Sequence, residues 1–345
     1  MGGTNYRAAV VGFANGKAEI KPKNAGAKDL SVMKTKGFTQ ENLLSKQSEF
    51  VNEIDLPEKS PVGYCFSYPG RCLPDGDAEL ITWTKGVDIQ EMVGKPVGKP
   101  LLDHLNQTGK ATFTGIKVIN DTVASLFAGL SDTGFDAYIG LIVGTGTNMA
   151  AFVNAARIPK INPDINWQGL TPVNLESGNF NPPHMTKYDD LVDEKSDIKG
   201  AQRFEKAVSG MYLGQIFKEM FPEDGFDEKF DAKGLTDIIN HPDKYKKKHV
   251  KAAKWIYNRA AKLVAASLAG LIDLLVSYDN SVNSVKITAE GSLFWSKVKN
   301  CRNYNKTVKR TLENLLDEMG HKKMKINIAE IENANMIGSG IAALS

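Results

Sequence analysis

Residues Leu141-Ile-Val-Gly-Thr-Gly-Thr-Asn148 decide the fold class. An apolar strand enters a Gly-Thr-Gly bend, and the apolar run Met149–Val153 follows it, so the segment reads as two strands joined by a glycine turn. Glycines bend tightly and let backbone N–H groups approach an anion closely, while threonine adds a hydroxyl donor. The opening Met1-Gly-Gly-Thr-Asn-Tyr-Arg7 repeats this logic ahead of the strand Ala8–Val11. One such turn would read as a hairpin corner. Two suit a polyphosphate.

Working outward, further strands are expected at Val62–Ser67, Lys117–Ile119, Tyr138–Val143, Lys286–Ala289 and Lys325–Ala329. Helical spacing appears over Gln40–Glu53, Val97–Asn106, Thr122–Leu130, Gln202–Met220, Ala252–Ser277 and Asn303–Glu318. Strands that alternate with helices argue an α/β fold with ligands at the carboxyl ends of strands. The Lys-rich stretch Glu223–Val250 reads as a solvated loop and helix face.

The bulk numbers narrow the class. A chain of 345 residues exceeds one modest core, so two lobes are expected. A formal charge of +3 lacks the basic excess of a nucleic-acid or anionic-membrane binder, so neither is expected as a partner. Three cysteines, Cys65, Cys72 and Cys301, form no Cys-x-x-Cys and fit a reducing, cytoplasmic setting. The apolar stretch Ala260–Val276 contains Lys262, Ser267 and Asp273 and reads as a buried helix. Met1 stands directly before the glycine turn, with no room for a strand, so residues upstream of it are expected.

Between the two turns, Lys117-Val-Ile-Asn-Asp-Thr122 ends a strand and opens a helix. Asp121 thus sits where the helix dipole favours an ionised carboxylate, able to accept a proton from a hydroxyl or simply to cap the helix. Phe66-Ser-Tyr-Pro69, Trp83-Thr-Lys-Gly86, Asn174-Leu-Glu176 and Phe204-Glu205 supply the hydroxyl, ammonium, amide and carboxylate groups that sugars require. Spacing alone does not join them into one site.

Taken in order, these segments resemble the hexokinase family. The resemblance runs through Gly2-Gly-Thr-Asn-Tyr-Arg7, Cys65-Phe-Ser-Tyr-Pro69, Trp83-Thr-Lys-Gly86, Ile119-Asn-Asp-Thr122 and Ile142–Asn148. It continues through Asn174-Leu-Glu176, Phe204–Gly214, Glu290-Gly-Ser-Leu293 and Gly338-Ser-Gly340. It implies the two-lobe actin-like ATPase (ribonuclease H-like) fold, a five-stranded sheet in each lobe and an active-site cleft between lobes. The expected small lobe is 1–119 closed by 338–345, and the large lobe is 120–337.

The implied activity is ATP-dependent phosphorylation of a hexose, with ATP and Mg²⁺ required. By position, Asp121 is similar to the family's catalytic base, with Lys85 beside it as a catalytic cation. Ser67, Thr84, Lys85, Asn120, Asp121, Asn148, Glu176, Gln202 and Glu205 are similar to its sugar ligands. Gly2, Gly3, Thr4, Asn5, Gly144, Thr145, Gly146, Gly291 and Ser292 are similar to its ATP-binding loops. The family's acidic residue two positions before the Gly-Gly pair, which organises Mg²⁺, has no counterpart in this sequence. Leu175 and Ser177 replace the usual Thr and Trp, and Glu290 replaces Asp. The alternatives are a catalytically silent sugar or nucleotide sensor on the same fold, and a bacterial-type glucokinase branch whose Cys/His zinc cluster this sequence lacks. Hexose choice and oligomeric state are not specified by the sequence.

Overall fold

The computed structural model describes residues 1, 5–14, 17–158, 160 and 169–345. They form two compact units: Met1–Thr133 with Glu332–Ser345, and Gly134–Ile331. The expected divisions at 119/120 and 337/338 fall elsewhere. The reason is that helices α3 (Asp121–Gly129) and α10 (Ala334–Ala342) pack on each other, which keeps both in the first unit. Gly338 approaches α3 so closely that a Cβ would lie 1.8 Å from the Ala124 carbonyl oxygen.

In the first unit β1 (Asn5–Ala14) pairs antiparallel with β2 (Lys17–Asp29), well beyond the expected Ala8–Val11. Helix α1 (Gln40–Val51) starts at a capping box in which Thr39 Oγ1 accepts the Asn42 amide and Asn42 Oδ1 accepts the Thr39 amide. Strand β3 (Lys59–Cys65) runs parallel to β6 (Thr112–Ile119), and short β4 (Gly70–Cys72) and β5 (Ala78–Leu80) make a ribbon between them in sequence. The buried Asp77 carboxylate accepts the amides of Gly98 and Lys99, each at 2.7 Å, and so anchors the start of α2 (Gly98–Thr108).

Among the described residues the five-stranded sheet expected here is not formed. The unit carries separate pairs, β1–β2, β3–β6 and β4–β5. Met1 donates to the Cys65 carbonyl and accepts the Ser67 amide at 3.1 Å, one rung of a parallel ladder beside β3. Beyond that rung β1 and β3 flank a cavity of about 490 Å³ instead of bonding to each other.

The second unit has one five-stranded sheet in the order β11-β10-β7-β8-β9. Strands β7 (Ala137–Val143), β10 (Ser284–Glu290) and β11 (Lys325–Ala329) are parallel; β8 (Thr147–Asn154) pairs antiparallel with β7, and β9 (Leu170–Asn174) antiparallel with β8. Helices α4 (Lys187–Glu194), α5 (Arg203–Val208), α6 (Gly210–Met220), α7 (Ala232–Asn240), α8 (Lys247–Tyr278) and α9 (Tyr304–Glu318) surround it. Helix α8 is long and apolar enough to cross a membrane by length and composition. Its buried residues, including Ala253, Ile256, Ala260, Val264 and Leu268, instead recur on one face and enter the unit's core.

Two expectations fail here for physical reasons. The helix expected over Gln202–Met220 breaks at Ser209, which is extended (φ −89°, ψ 156°), because the Gly210 amide leaves the helical ladder to donate to the Gly144 carbonyl at 2.7 Å. The stretch Glu223–Val250 is not all solvated. Leu235, Ile238 and Ile239, one face of α7, are fully buried, while Asp224 collects Lys246, Lys248 and His249 at the surface.

Candidate active site

The first unit places its candidates at the carboxyl ends of β3 and β6. The Phe66 amide donates to the Ile119 carbonyl at 2.8 Å, so Ser67 and Asn120 leave adjacent parallel strands side by side. Lys85 Nζ donates to the Ser67 carbonyl at 2.6 Å and lies 5.0 Å from the Tyr68 ring centroid. Its loop is held by Trp83, whose ring meets Tyr68 edge-on at 4.8 Å and whose indole N–H donates to the Ile89 carbonyl at 2.7 Å. Such an aromatic pair contributes about 0.5–1.5 kcal/mol beyond its buried area. Thr84 is exposed beside Lys85.

Asp121 is the first residue of α3, and it does not cap the helix. Asn120 does, through Oδ1 accepting the Val123 amide at 2.8 Å. Among the described residues Asp121 Oδ1 accepts only its neighbour Thr122, from the amide at 2.8 Å and the hydroxyl at 3.4 Å. The Met1 backbone nitrogen, which donates to the Cys65 carbonyl, lies within electrostatic reach of both Asp121 and Lys85. Ser67, Lys85, Asn120 and Asp121 are therefore one neighbourhood.

In the second unit the side chains of Asn148, Asn174 and Glu176 are tied together, and Glu205 lies near enough to feel the Glu176 charge. Asn148 Nδ2 donates to Asn174 Oδ1 at 2.7 Å and to Glu176 Oε1 at 3.4 Å, and Asn174 Nδ2 donates to Glu176 Oε1 at 2.6 Å. Asn148 Oδ1 accepts the Ser177 amide at 3.1 Å, which fixes the turn after Glu176. Glu205 Oε2 accepts the Thr147 amide at 2.9 Å. Burial pushes the Glu205 carboxyl above the ordinary glutamate range; the Thr147 amide opposes this, and the Glu176 charge adds to it. Asn174, whose amide the sequence offers beside Glu176, is not among the residues similar to the family's sugar ligands. Its position at a strand end, two residues before Glu176, was the available signal.

The glycine turns of this unit also meet. Gly144 to Gly146 closes the β7–β8 hairpin, with the Gly144 amide donating to the Gly146 carbonyl at 2.9 Å, and Thr145 is exposed at its tip. The Thr145 carbonyl accepts the Met211 amide at 3.3 Å, seating the turn on the start of α6. Gly291, at φ +115°, follows β10, and a Cβ there would lie 2.2 Å from the Val143 carbonyl oxygen. Gly291 and Ser292 thus flank the Gly144 turn at the carboxyl ends of adjacent parallel strands. Asn5 opens β1 in the first unit and is exposed; Gly2, Gly3 and Thr4 lie outside the described residues.

One backbone feature selects the same residues. Non-glycine residues at positive φ are Lys85, Glu176, His184, Gln202 and Asn333 among the described residues, and three of these five are expected sugar ligands. Such conformations cost about 1–3 kcal/mol each and concentrate where function requires a fixed orientation.

Hexokinase family models match residues 1–130 and, in two segments, 138–224 and 225–345. The chain belongs to the hexokinase family. It is 32% identical to Hexokinase-7 of Oryza sativa subsp. japonica over 230 residues, 64% of this chain and 49% of that protein. It is 27% identical to Hexokinase-1 of Arabidopsis thaliana over 403 aligned positions, covering 100% and 78%. The chain therefore spans about half the length of the rice hexokinase, and 26% of Hexokinase-1 of Pongo abelii. The solved hexokinase from Schistosoma mansoni complexed with glucose matches 100% of this chain and 84% of its own, with a TM-score of 0.73 at 23% identity. Likeness at that identity establishes the actin-like ATPase fold expected from the sequence. In this hexokinase-family chain Ser177, which stands where the family's tryptophan is usual, buries a hydroxyl that has no partner among the described residues.

Proposed function

We propose that this chain is an ATP-dependent hexose kinase in which Asp121 is the general base and Asn148, Asn174, Glu176 and Glu205 bind sugar hydroxyls. The observation that carries the reading is the assignment of the α3 cap to Asn120, which leaves the Asp121 carboxylate at a helix start without a structural duty. A carboxylate so placed accepts the proton of the attacking hydroxyl as the oxygen engages the γ-phosphorus, worth about 10²–10⁴ in rate.

Vicinal hydroxyls of a hexose take paired polar contacts, and the tied amides and carboxylates of the second unit offer them without further ordering. Orientation of this kind lowers a barrier by roughly 7–11 kcal/mol. Phosphoryl transfer passes through a loose transition state, so charge stabilisation by Lys85 and by the turn amides completes the set.

The chain fits ATP at the Gly144–Gly146 and Gly291–Ser292 turns, since a side chain at Gly291 would fill the space against Val143. Mg²⁺ enters as the nucleotide complex and neutralises phosphate charge there; no cluster of three His, Cys, Asp or Glu side chains suited to a metal lies among the described residues. A reducing, cytoplasmic setting belongs to the same reading, supported by three free cysteines.

A coupled assay for ADP release with glucose and MgATP tests the proposal on the full-length protein. Glucose-dependent release is expected. Sugar binding with no release, under saturating MgATP, would replace the kinase by a sensor.

A further inference from the structure

The second unit has a groove of about 540 Å³ between α8 and α9, lined by Asn258, Lys262, Arg302, Thr307, Arg310, Thr311 and Asn314. Asn258 and Lys262 stand one turn apart on α8. Thr307, Arg310, Thr311 and Asn314 follow i, i+3, i+4 and i+7 on α9, a single face. The two helices are joined just beside it by Tyr257 and Tyr304, fully buried rings 5.4 Å apart, with the Tyr304 amide donating to the Tyr257 hydroxyl at 3.0 Å.

Charge is uncompensated in this groove. Three cations face it and no acid lines it, and none of the three forms an ion pair among the described residues. Two other cations of α8 are paired: Arg259 Nη2 lies 2.7 Å from the buried Asp189 carboxylate, and Lys248 binds Asp224. A second, separate observation marks the place. Thr307 is only 5% exposed, yet its hydroxyl has no hydrogen-bond partner among the described residues. A buried hydroxyl without a partner is costly to maintain.

We propose that this α8–α9 groove binds a small phosphate-bearing anion, either inorganic phosphate or a phosphomonoester. Lys262, Arg302 and Arg310 neutralise it, and Thr307, Asn258 and Asn314 add neutral donors. Arginine's planar fork suits phosphate oxygens, and the volume is that of a small-ligand pocket. The site is distinct in residues from the glycine turns assigned to ATP and does not rest on the kinase reading.

The test is calorimetric titration of the full chain with inorganic phosphate and, separately, with glycerol phosphate, each repeated in saturating MgATP. Saturable binding that persists with MgATP is expected. Arg310→Gln and Lys262→Gln should each weaken it about tenfold or more, and Thr307→Val by a smaller factor, with melting temperatures unchanged. Binding of phosphate alone identifies the free ion; tighter binding of glycerol phosphate identifies an ester. Loss of binding in MgATP, affinity unchanged in all three variants, or no saturable binding of either probe overturns the proposal.

Discussion

Asn120 holds the first turn of α3 by accepting the Val123 amide at 2.8 Å, and Asp121 beside it does not share that task. Neighbouring residues at one strand end thus have separable roles. Asn120→Ala should cost about 0.5–2 kcal/mol, the usual loss for an N-cap. Asp121→Ala should leave the melting temperature nearly unchanged while kcat falls about 10²–10⁴-fold. Thermal melts and steady-state kinetics on both variants separate the two. A large stability loss in the Asp121 variant with near-normal turnover would show that its carboxylate is structural.

Glu205 gives a pH prediction. Its folded pKa is raised by burial, against the Thr147 amide and with the Glu176 charge, so the folded state holds this proton at higher pH than the unfolded chain does. The sign follows: Glu205 contributes most to stability at pH below the ordinary glutamate value, and that contribution is lost as pH rises through the raised folded value. Sugar affinity runs the other way, because protonation removes the acceptor. Hexose KM should therefore climb on acidification, beginning above the ordinary glutamate range, and Glu205→Gln should raise KM and flatten that limb. An unchanged acid limb in the variant would assign it to another group.

Anchoring of α5 provides the next prediction. Lys206, 1% exposed, donates to Asp193 Oδ1 at 2.6 Å and to the Ile198 carbonyl at 2.8 Å, and Arg203 lies 3.0 Å from Asp193 Oδ2. Burial alone would raise the Asp193 carboxyl; Lys206, the Gly200 amide and Arg203 outweigh it and hold the group below the usual range. That stabilisation is present above the unfolded pKa and fades as pH falls towards the lowered folded value. Lys206→Met leaves the buried Asp193 carboxylate with Arg203 and the Gly200 amide alone and should cost about 1–3 kcal/mol in chemical denaturation. Since Lys206 adjoins Glu205, hexose KM should also rise. A loss below about 1 kcal/mol would mean that Asp193 finds water or another cation.

The strand ends were legible because chemistry there is local: a Gly-Thr-Gly bend, or Asn-Asp-Thr after an apolar run, carries its geometry in adjacent residues. Ser209 was not legible. Apolar spacing runs on through residues 202–220, and the break comes from a hydrogen bond to Gly144, which no periodicity records. Helix α7 was hidden by composition, since its four buried residues sit within a polar, lysine-rich stretch. The Asn174 amide was legible beside Glu176 but its partner was not; only folding brings it against Asn148, twenty-six residues away in sequence. The separate strand pairs of the first unit were equally invisible, because the run Val62–Ser67 reads the same with one strand neighbour or two.

Gln202 tests whether the strained backbone serves binding. It precedes α5 at φ +54°, makes no side-chain cap, and its Oε1 lies 2.6 Å from where a Cβ on Gly178 would stand, beside Glu205. Nothing in the helix start requires glutamine there. Glycine adopts this conformation without the Cβ penalty, so Gln202→Gly should hold or raise the melting temperature while removing an amide from the neighbourhood of Glu205 and Glu176. The expected result is unchanged or higher stability, a several-fold rise in hexose KM and an ATP KM close to wild type. Asn adopts the same left-handed backbone and keeps a shorter amide, so Gln202→Asn should fall between the two. If Gln202→Gly lowers stability and leaves hexose KM alone, the glutamine is there for packing, and the left-handed turn is a feature of the fold and not of the site.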